Sequence, residues 1–227
     1  MNRAPETVLV LRFSGVGDVV LTSPAIQALH QAWPKTRIIY AVKESLAPLI
    51  RPNPFVSEVV ALGKSEGPWS YNRRLRATRY EELLDLHNKV RSKILRALLP
   101  AGRRSVWHKR DFSETVMVKL ALRPYHASMR FADRYHAAVE QLVGEKLPRG
   151  ELRHFLGPDD VSLAMKALGE AGLTFSHPIL GLSPGAVGET KRWPVERFGE
   201  IARRALKEGC RSSCKAVPKR LRSRGRS

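Results

Sequence analysis

Two short segments carry side chains that could do chemistry directly after an apolar run. Ser14-Gly15-Val16-Gly17-Asp18 follows the run at residues 8–11, and Ser183-Pro184-Gly185-Ala186 with Thr190-Lys191-Arg192-Trp193-Pro194 follows the run at 178–182. A carboxylate on a glycine turn can take a proton as a general base or can cap the helix behind it, and the spacing of Asp18 admits both. Small residues after a strand let backbone N–H groups approach an anion, and a lysine nearby adds a point charge suited to phosphate. Lys191 and Arg192 also fit as solvated charges beside a packing tryptophan, but the whole constellation points to phosphate. The first turn is not a dinucleotide fingerprint, because Val20 stands where the third glycine belongs. Nor is it a Walker loop, since no Gly-Lys-Ser/Thr follows.

Hydrophobic periodicity describes the frame that must hold these turns. Residues 8–11 predict a strand buried on both faces. Residues 19–33 predict a helix with Ile26, Leu29 and Trp33 apolar, bent or restarted where Ser23, read as an N-cap, precedes Pro24. A second strand at 37–42 completes a βαβ unit, whose parallel strands need a crossover of this size. A short helix at 46–50 and a strand at 56–62 follow, and 80–86 reads as the end of a helix running into a strand. Residues 90–99 predict an amphipathic helix with Ile94, Leu95, Leu98 and Leu99 inward and Arg91, Lys93 and Arg96 outward. A strand at 104–107 and a helix at 131–143 close the first unit.

Residues 148–158 read as a linker. Beyond it come a helix at 160–171 closed by Gly172, the strand at 178–182, and a helix at 195–206. A parallel sheet then needs another strand, but the run from Cys210 to Arg220 is polar, charged and broken by Pro218. The second unit is therefore expected to stop with one strand made. Its unpaired strand would then leave apolar surface exposed and limit solubility.

Composition narrows the class. The 227 residues are 43% apolar and 27% charged, as in ordinary soluble proteins. No run approaches the ~18 apolar residues of a membrane span, and the first is too short for a secretory signal, so the chain is expected in the cytoplasm. Cys210 and Cys214 lack the partners of a zinc site and read as free thiols in a reducing compartment. The net charge of +19 suggests a polyanionic partner, yet seven of those charges lie in residues 209–227, which hold no acid. The remaining cations, among them Arg73, Arg74, Arg76, Arg91, Lys93 and Arg96, suit an anionic substrate or membrane surface as well as nucleic acid. A nucleic-acid reading would use Trp69, Tyr71, Tyr80 and Trp107 as stacking platforms between the cations, though no nucleic-acid motif is present.

Residues 9–25, opening Leu9-Val10-Leu11-Arg12-Phe13-Ser14-Gly15-Val16-Gly17-Asp18, resemble the start of the lipopolysaccharide heptosyltransferases, glycosyltransferase family nine. Asp85-Leu86-His87-Asn88-Lys89-Val90-Arg91-Ser92 is similar to that family's Asp-Leu-His…Arg-Ser segment, and Ser183 to Ala186 with Lys191-Arg192-Trp193-Pro194 is similar to its donor-side signature. The resemblance implies an α/β fold of GT-B type. A Rossmann-like acceptor domain over residues 1–156 would be followed by the start of a nucleotide-sugar domain over 157–208 and a disordered basic tail over 209–227. It implies an inverting transfer of heptose from a nucleotide-diphosphate sugar such as ADP-heptose to an anionic lipopolysaccharide inner-core acceptor, with no cofactor and no metal. Peripheral contact with the inner membrane face would suit such an acceptor, and no nucleic acid is expected.

By the same resemblance Asp18 is the base. Ser183, Gly185, Ala186, Thr190 and Lys191 lie on the donor side, and Gly15, Gly17, His87 and Arg91 on the acceptor side. The family continues past about residue 210 through further strands and a Thr/Ser-Gly-x-x-His-like segment that this chain lacks. The expectation is therefore a C-terminally truncated, inactive member. A shifted reading frame explains the sudden Arg/Ser/Lys composition, with a natural basic extension as the alternative. A non-catalytic glycolipid-binding remnant is a further reading.

Overall fold

The computed structural model describes residues 2–63, 65–108, 130–173, 176, 178–184, 192–209 and 211–214. The chain divides into two compact units, Met1–Gly157 and Pro158–Ser227.

The first unit is built outward from β1 (Thr7–Leu11), all of whose residues are buried. A strand covered on both faces must be apolar on both, because successive side chains point oppositely. Val8 and Val10 enter one core cluster with Ile26, Leu29, Val139 and Leu142. Leu9 and Leu11 enter the other with Tyr71, Leu75, Leu95 and Leu99. Strands β2 (Arg37–Lys43) and β4 (Glu82–Asp85) flank β1, with β3 (Glu58–Leu62) and β5 (Arg104–Val106) outside them. All pairings are parallel and the order is β3-β2-β1-β4-β5. Strand order reverses between β1 and β4. In open parallel sheets the crevice at the carboxyl ends of two such strands is where ligands bind.

Helices cover both faces. α2 (Ser23–Ala32) and α5 (Phe131–Val143) pack on the Val8/Val10 face, and α3 (Pro68–Ala77) and α4 (Val90–Leu98) on the Leu9/Leu11 face. The helix expected at 19–33 is in two pieces, α1 (Val16–Val20) and α2. The restart falls near Pro24 as the sequence suggested, but Thr22 is the N-cap and Ser23 is already helical. The Thr22 hydroxyl bonds the Val19 carbonyl at 2.7 Å and lies 2.9 Å from the Tyr40 hydroxyl, which ties the break to β2. Tyr80 and Glu81 are not helical, since α3 ends at Ala77 and Arg79 turns the chain at φ 49°. Ile94 was expected inward and is exposed. α4 seats on the sheet through Ser92, Leu95 and, just past its end, Leu99, a spacing that turns Ile94 to the outside. Residues 148–157 form neither helix nor strand, yet they are held to the first unit by Glu151 N–H on the Gln27 side chain (2.9 Å) and Phe55 against Phe155 (5.8 Å).

The second unit contains α6 (Pro158–Glu170), β6 (Ile179–Leu182), α7 (Val195–Lys207) and β7 (Arg211–Cys214). Contrary to the expectation of a single strand, β7 pairs parallel with β6, from Ile179 opposite Arg211 to Leu182 opposite Cys214, so β6 is not left unpaired. A parallel partner is selected by the β6–α7–β7 crossover and by backbone hydrogen bonds, which polar Arg-Ser-Ser-Cys can make as well as an apolar run. No described side chain of this unit is buried. Val161, Leu163, Met165, Val195 and Leu206 stand exposed.

Candidate functional site

The turn after β1 is specified by one glycine. Gly15 sits at φ 89°, and a Cβ there would run into the Asp18 carboxylate, so any other residue is both strained and in collision. A Cβ at Gly17 would meet nothing within 4 Å, so the structure gives no steric reason for that glycine. Asp18 makes no capping bond to α1. Its carboxylate turns back instead to form an ion pair with Arg12.

Arg12 is the side chain that organises this end of the sheet, and sequence reasoning passed over it. It is only 2% exposed and its Nη1 donates to the Leu86 carbonyl at 2.6 Å. Its guanidinium lies 5.4 Å from the Tyr135 ring and 5.7 Å from the Trp107 ring. A buried cation is costly unless paired and hydrogen-bonded. Carboxylate, carbonyl and two ring faces meet most of that need, with Nε left unpartnered, and the ion pair turns Asp18 toward Arg12. The Tyr135 hydroxyl is buried beside Asp18. Burial, aided by the nearby Asp18 charge, pushes it up to about 12.

Across the strand-order reversal, the β4–α4 loop is tied by Asp85, which is fully buried. Its Oδ1 accepts the N–H groups of His87 and Asn88, each at 2.9 Å, and its Oδ2 accepts Arg96 Nη1 at 2.8 Å. Asn88 adopts φ 45°, a left-handed conformation asparagine tolerates, and its Nδ2 donates to the Trp107 carbonyl at 2.8 Å. The loop so fixed places His87 edge-on to Phe13 at 5.2 Å, with a buried Nδ1 that has no partner. Burial, reinforced by the charges of Arg12 and Lys89, lowers His87 to about 4 against the opposing pull of Asp85 and Asp18. The ring is therefore neutral near pH 7.

A pH effect on stability follows. The unfolded chain protonates this imidazole near its ordinary 6.5, while the folded chain resists until about 4. Stability contributed by His87 is thus present above pH ~6.5 and lost as pH falls toward ~4. His87→Gln should remove that component, on the order of 2 kcal/mol. The check is urea unfolding at neutral pH and in mild acid, where the wild type should lose more stability than the variant.

Between the two turns lies a cavity of about 380 Å³ whose lining includes Ser14, Lys43, Tyr71, His87, Lys89 and Arg91. Lys43 comes from the end of β2, Lys89 from the β4–α4 loop and Arg91 from the first turn of α4. None of the three pairs with a carboxylate among the described residues. Arg91 stacks 5.4 Å over Tyr71, whose hydroxyl donates to the Gly63 carbonyl. The structure thus brings His87 and Arg91 into one cavity, with Gly15, Gly17 and Asp18 on the turn that Ser14 opens. Lys43 and Lys89 were missed as site residues. The signal that could have found them is position: Lys89 lies in the loop after β4, at the reversal of strand order, and Lys43 ends β2, the neighbour of β1. Of the donor-side residues, Ser183 is exposed just after β6, while Gly185, Ala186, Thr190 and Lys191 lie outside the described residues.

A parallel five-stranded sheet with helices on both faces and polar side chains gathered at its switch point is a Rossmann-like ligand-binding domain. With a second parallel α/β unit following it in the chain, the fold is α/β of the GT-B type. Residues 69–214 match the family model described as glycosyltransferase family 9 (heptosyltransferase), and the chain belongs to that family. It is 26% identical over 219 residues to lipopolysaccharide heptosyltransferase 2 of Salmonella typhimurium, a match covering 89% of this chain and 61% of that protein. The solved structure of a glycosyl transferase family 9 protein from Veillonella parvula superposes with TM-score 0.77 at 22% identity, covering 92% of this chain and 62% of that one. ADP-heptose lps heptosyltransferase II of E. coli superposes with TM-score 0.69 at 19% identity, covering 92% and 63%. The chain therefore spans about three fifths of the relatives it matches.

Proposed function

We propose that the first unit is the acceptor half of a heptosyltransferase-type glycosyltransferase, one that moves heptose from an ADP-heptose-like donor to an anionic lipopolysaccharide inner-core acceptor. The observation that carries this reading is the Asp18 carboxylate, paired with buried Arg12 on the turn whose Ser14 lines a cavity shared by Lys43, Lys89 and Arg91, in a family 9 chain. The acceptor hydroxyl attacks the anomeric carbon of the donor sugar as Asp18 takes its proton, and the nucleoside diphosphate leaves with inversion. The three cavity cations hold acidic groups of the acceptor, and neutral His87 offers a hydrogen bond without adding charge. On the donor side Ser183, Gly185, Ala186, Thr190 and Lys191 stabilise the leaving diphosphate through backbone N–H groups and the lysine charge, a role a metal plays elsewhere. Such chemistry belongs at the cytoplasmic face of the inner membrane, where acceptor lipid and nucleotide sugar meet.

The 227-residue chain itself is expected to transfer at background, because its second unit buries no described side chain. The first unit should nonetheless work when completed. A chimaera joining Met1–Gly157 to the matching second half of the Salmonella heptosyltransferase is expected to consume ADP-heptose in the presence of a lipopolysaccharide inner-core acceptor, while the chain alone does not. A folded chimaera that binds ADP-heptose but transfers to no such acceptor would end this reading.

A further inference from the structure

The outer side of the helix pair beside the cavity carries residues that sugar transfer does not use. Arg91 in the first turn of α4 stacks on Tyr71 in the first turn of α3, and Arg76 near the end of α3 donates to the Leu98 carbonyl at the end of α4 at 2.7 Å. The two helices thus run side by side, and both first turns lie at the cavity rim, where Tyr71, Val90 and Arg91 line it. On the outside, Trp69 is 73% exposed, Val90 74% and Ile94, one turn further along α4, 43%. Neither helix contains an acidic residue. Arg74 pairs with Glu66 and Arg96 with Asp85. Arg73, Arg91 and Lys93, with Lys89 just ahead of α4, have no carboxylate partner among the described residues.

We propose that this face docks on an anionic phospholipid bilayer. Trp69, Val90 and Ile94 enter the boundary between headgroups and acyl chains, while Arg73 and Lys93 meet the acidic headgroups. An exposed tryptophan among aliphatic side chains and unpaired cations is the composition that such a boundary selects. The arrangement brings the cavity mouth to the membrane plane, which deepens the acceptor reading by delivering that site to a lipid-borne substrate, and rests on it in that respect. Nucleic acid fits the same cations less well. Of the four aromatic residues interleaved with them, Tyr71 and Trp107 are buried and Tyr80 is half-buried, which leaves Trp69 alone to stack on a base, and Val90 and Ile94 offer a polyanion nothing.

The test uses the full chain and vesicles free of sugar and nucleotide. It should co-sediment with phosphatidylcholine vesicles containing phosphatidylglycerol and much less with phosphatidylcholine alone. The combined variant Trp69→Ser, Val90→Ser, Ile94→Ser should bind about tenfold more weakly or worse, with unchanged circular dichroism, because these side chains are exposed. The cations of residues 209–227 can also draw the chain to an anionic surface, but they cannot carry Trp69 into it. Brominated acyl chains should therefore quench tryptophan emission in the wild type, and Trp69→Phe should abolish most of that quenching while still sedimenting. The proposal is overturned if the combined variant sediments like the wild type, if quenching survives in Trp69→Phe, or if no sedimentation occurs. It is equally overturned if the three side chains prove necessary for oligonucleotide binding or self-association instead. None of these outcomes touches sugar transfer, which the chimaera decides separately.

Discussion

Asp18→Asn should lower kcat of the chimaera by about 10²–10⁴ while leaving KM nearly unchanged. The substitution keeps the size of the side chain and an oxygen that can still accept from Arg12, so the geometry of the turn survives. What it removes is the capacity to take a proton. An acceptor hydroxyl must lose its proton as the bond to the anomeric carbon forms, and without a base that charge develops unrelieved in the transition state. With the acceptor held as proposed by Lys43, Lys89 and Arg91 rather than by Asp18, ground-state binding should hardly change. Steady-state kinetics separate the outcomes. A drop confined to kcat supports a base. A rise in KM alone would make Asp18 a binding residue, and a loss of less than a few fold would remove it from the chemistry.

Asp85→Ala should cost about 3–5 kcal/mol of stability, because it leaves half-buried Arg96 without its carboxylate and two N–H donors without their acceptor. The His87 and Asn88 N–H groups lose their acceptor, and Arg96 loses its carboxylate. Asp85→Asn distinguishes the two contributions, since an amide oxygen still accepts both N–H groups but no longer pairs with Arg96 as a charge. It should fall between the wild type and alanine. Urea unfolding of the full chain reads the order directly. If alanine and asparagine unfold alike and close to the wild type, the loop is not held by this carboxylate.

The parts of the fold that were legible in the sequence are those where one physical demand acts alone. A strand sandwiched between helices must be apolar at every position, and residues 8–11 announce that. Pro24 cannot continue a helix's hydrogen bonds unbroken, and the chain does restart there. What stayed hidden depends on partners distant in sequence. A nine-residue helix has too few periods to show that Ile94 faces out. β7 is chosen by backbone pairing with β6, which leaves no hydropathic trace in Arg-Ser-Ser-Cys. Arg12, an arginine just after a strand, looks like surface until Trp107 and Tyr135 arrive from far along the chain to cover it. Lys43 looks like a strand ending until the sheet order places it beside His87 and Arg91.

Acceptor recognition requires that the cavity receive an anionic sugar, and binding tests that without turnover. Titrating the full chain with mannose 6-phosphate should show salt-sensitive binding, and Lys89→Ala with Arg91→Ala should weaken it about tenfold or more, as the loss of charge-assisted bonds predicts. Nuclear magnetic resonance should place the perturbed signals on His87 and the turn around Asp18. Equal affinity in the double variant, or perturbations confined to the basic residues after 209, would contradict the account.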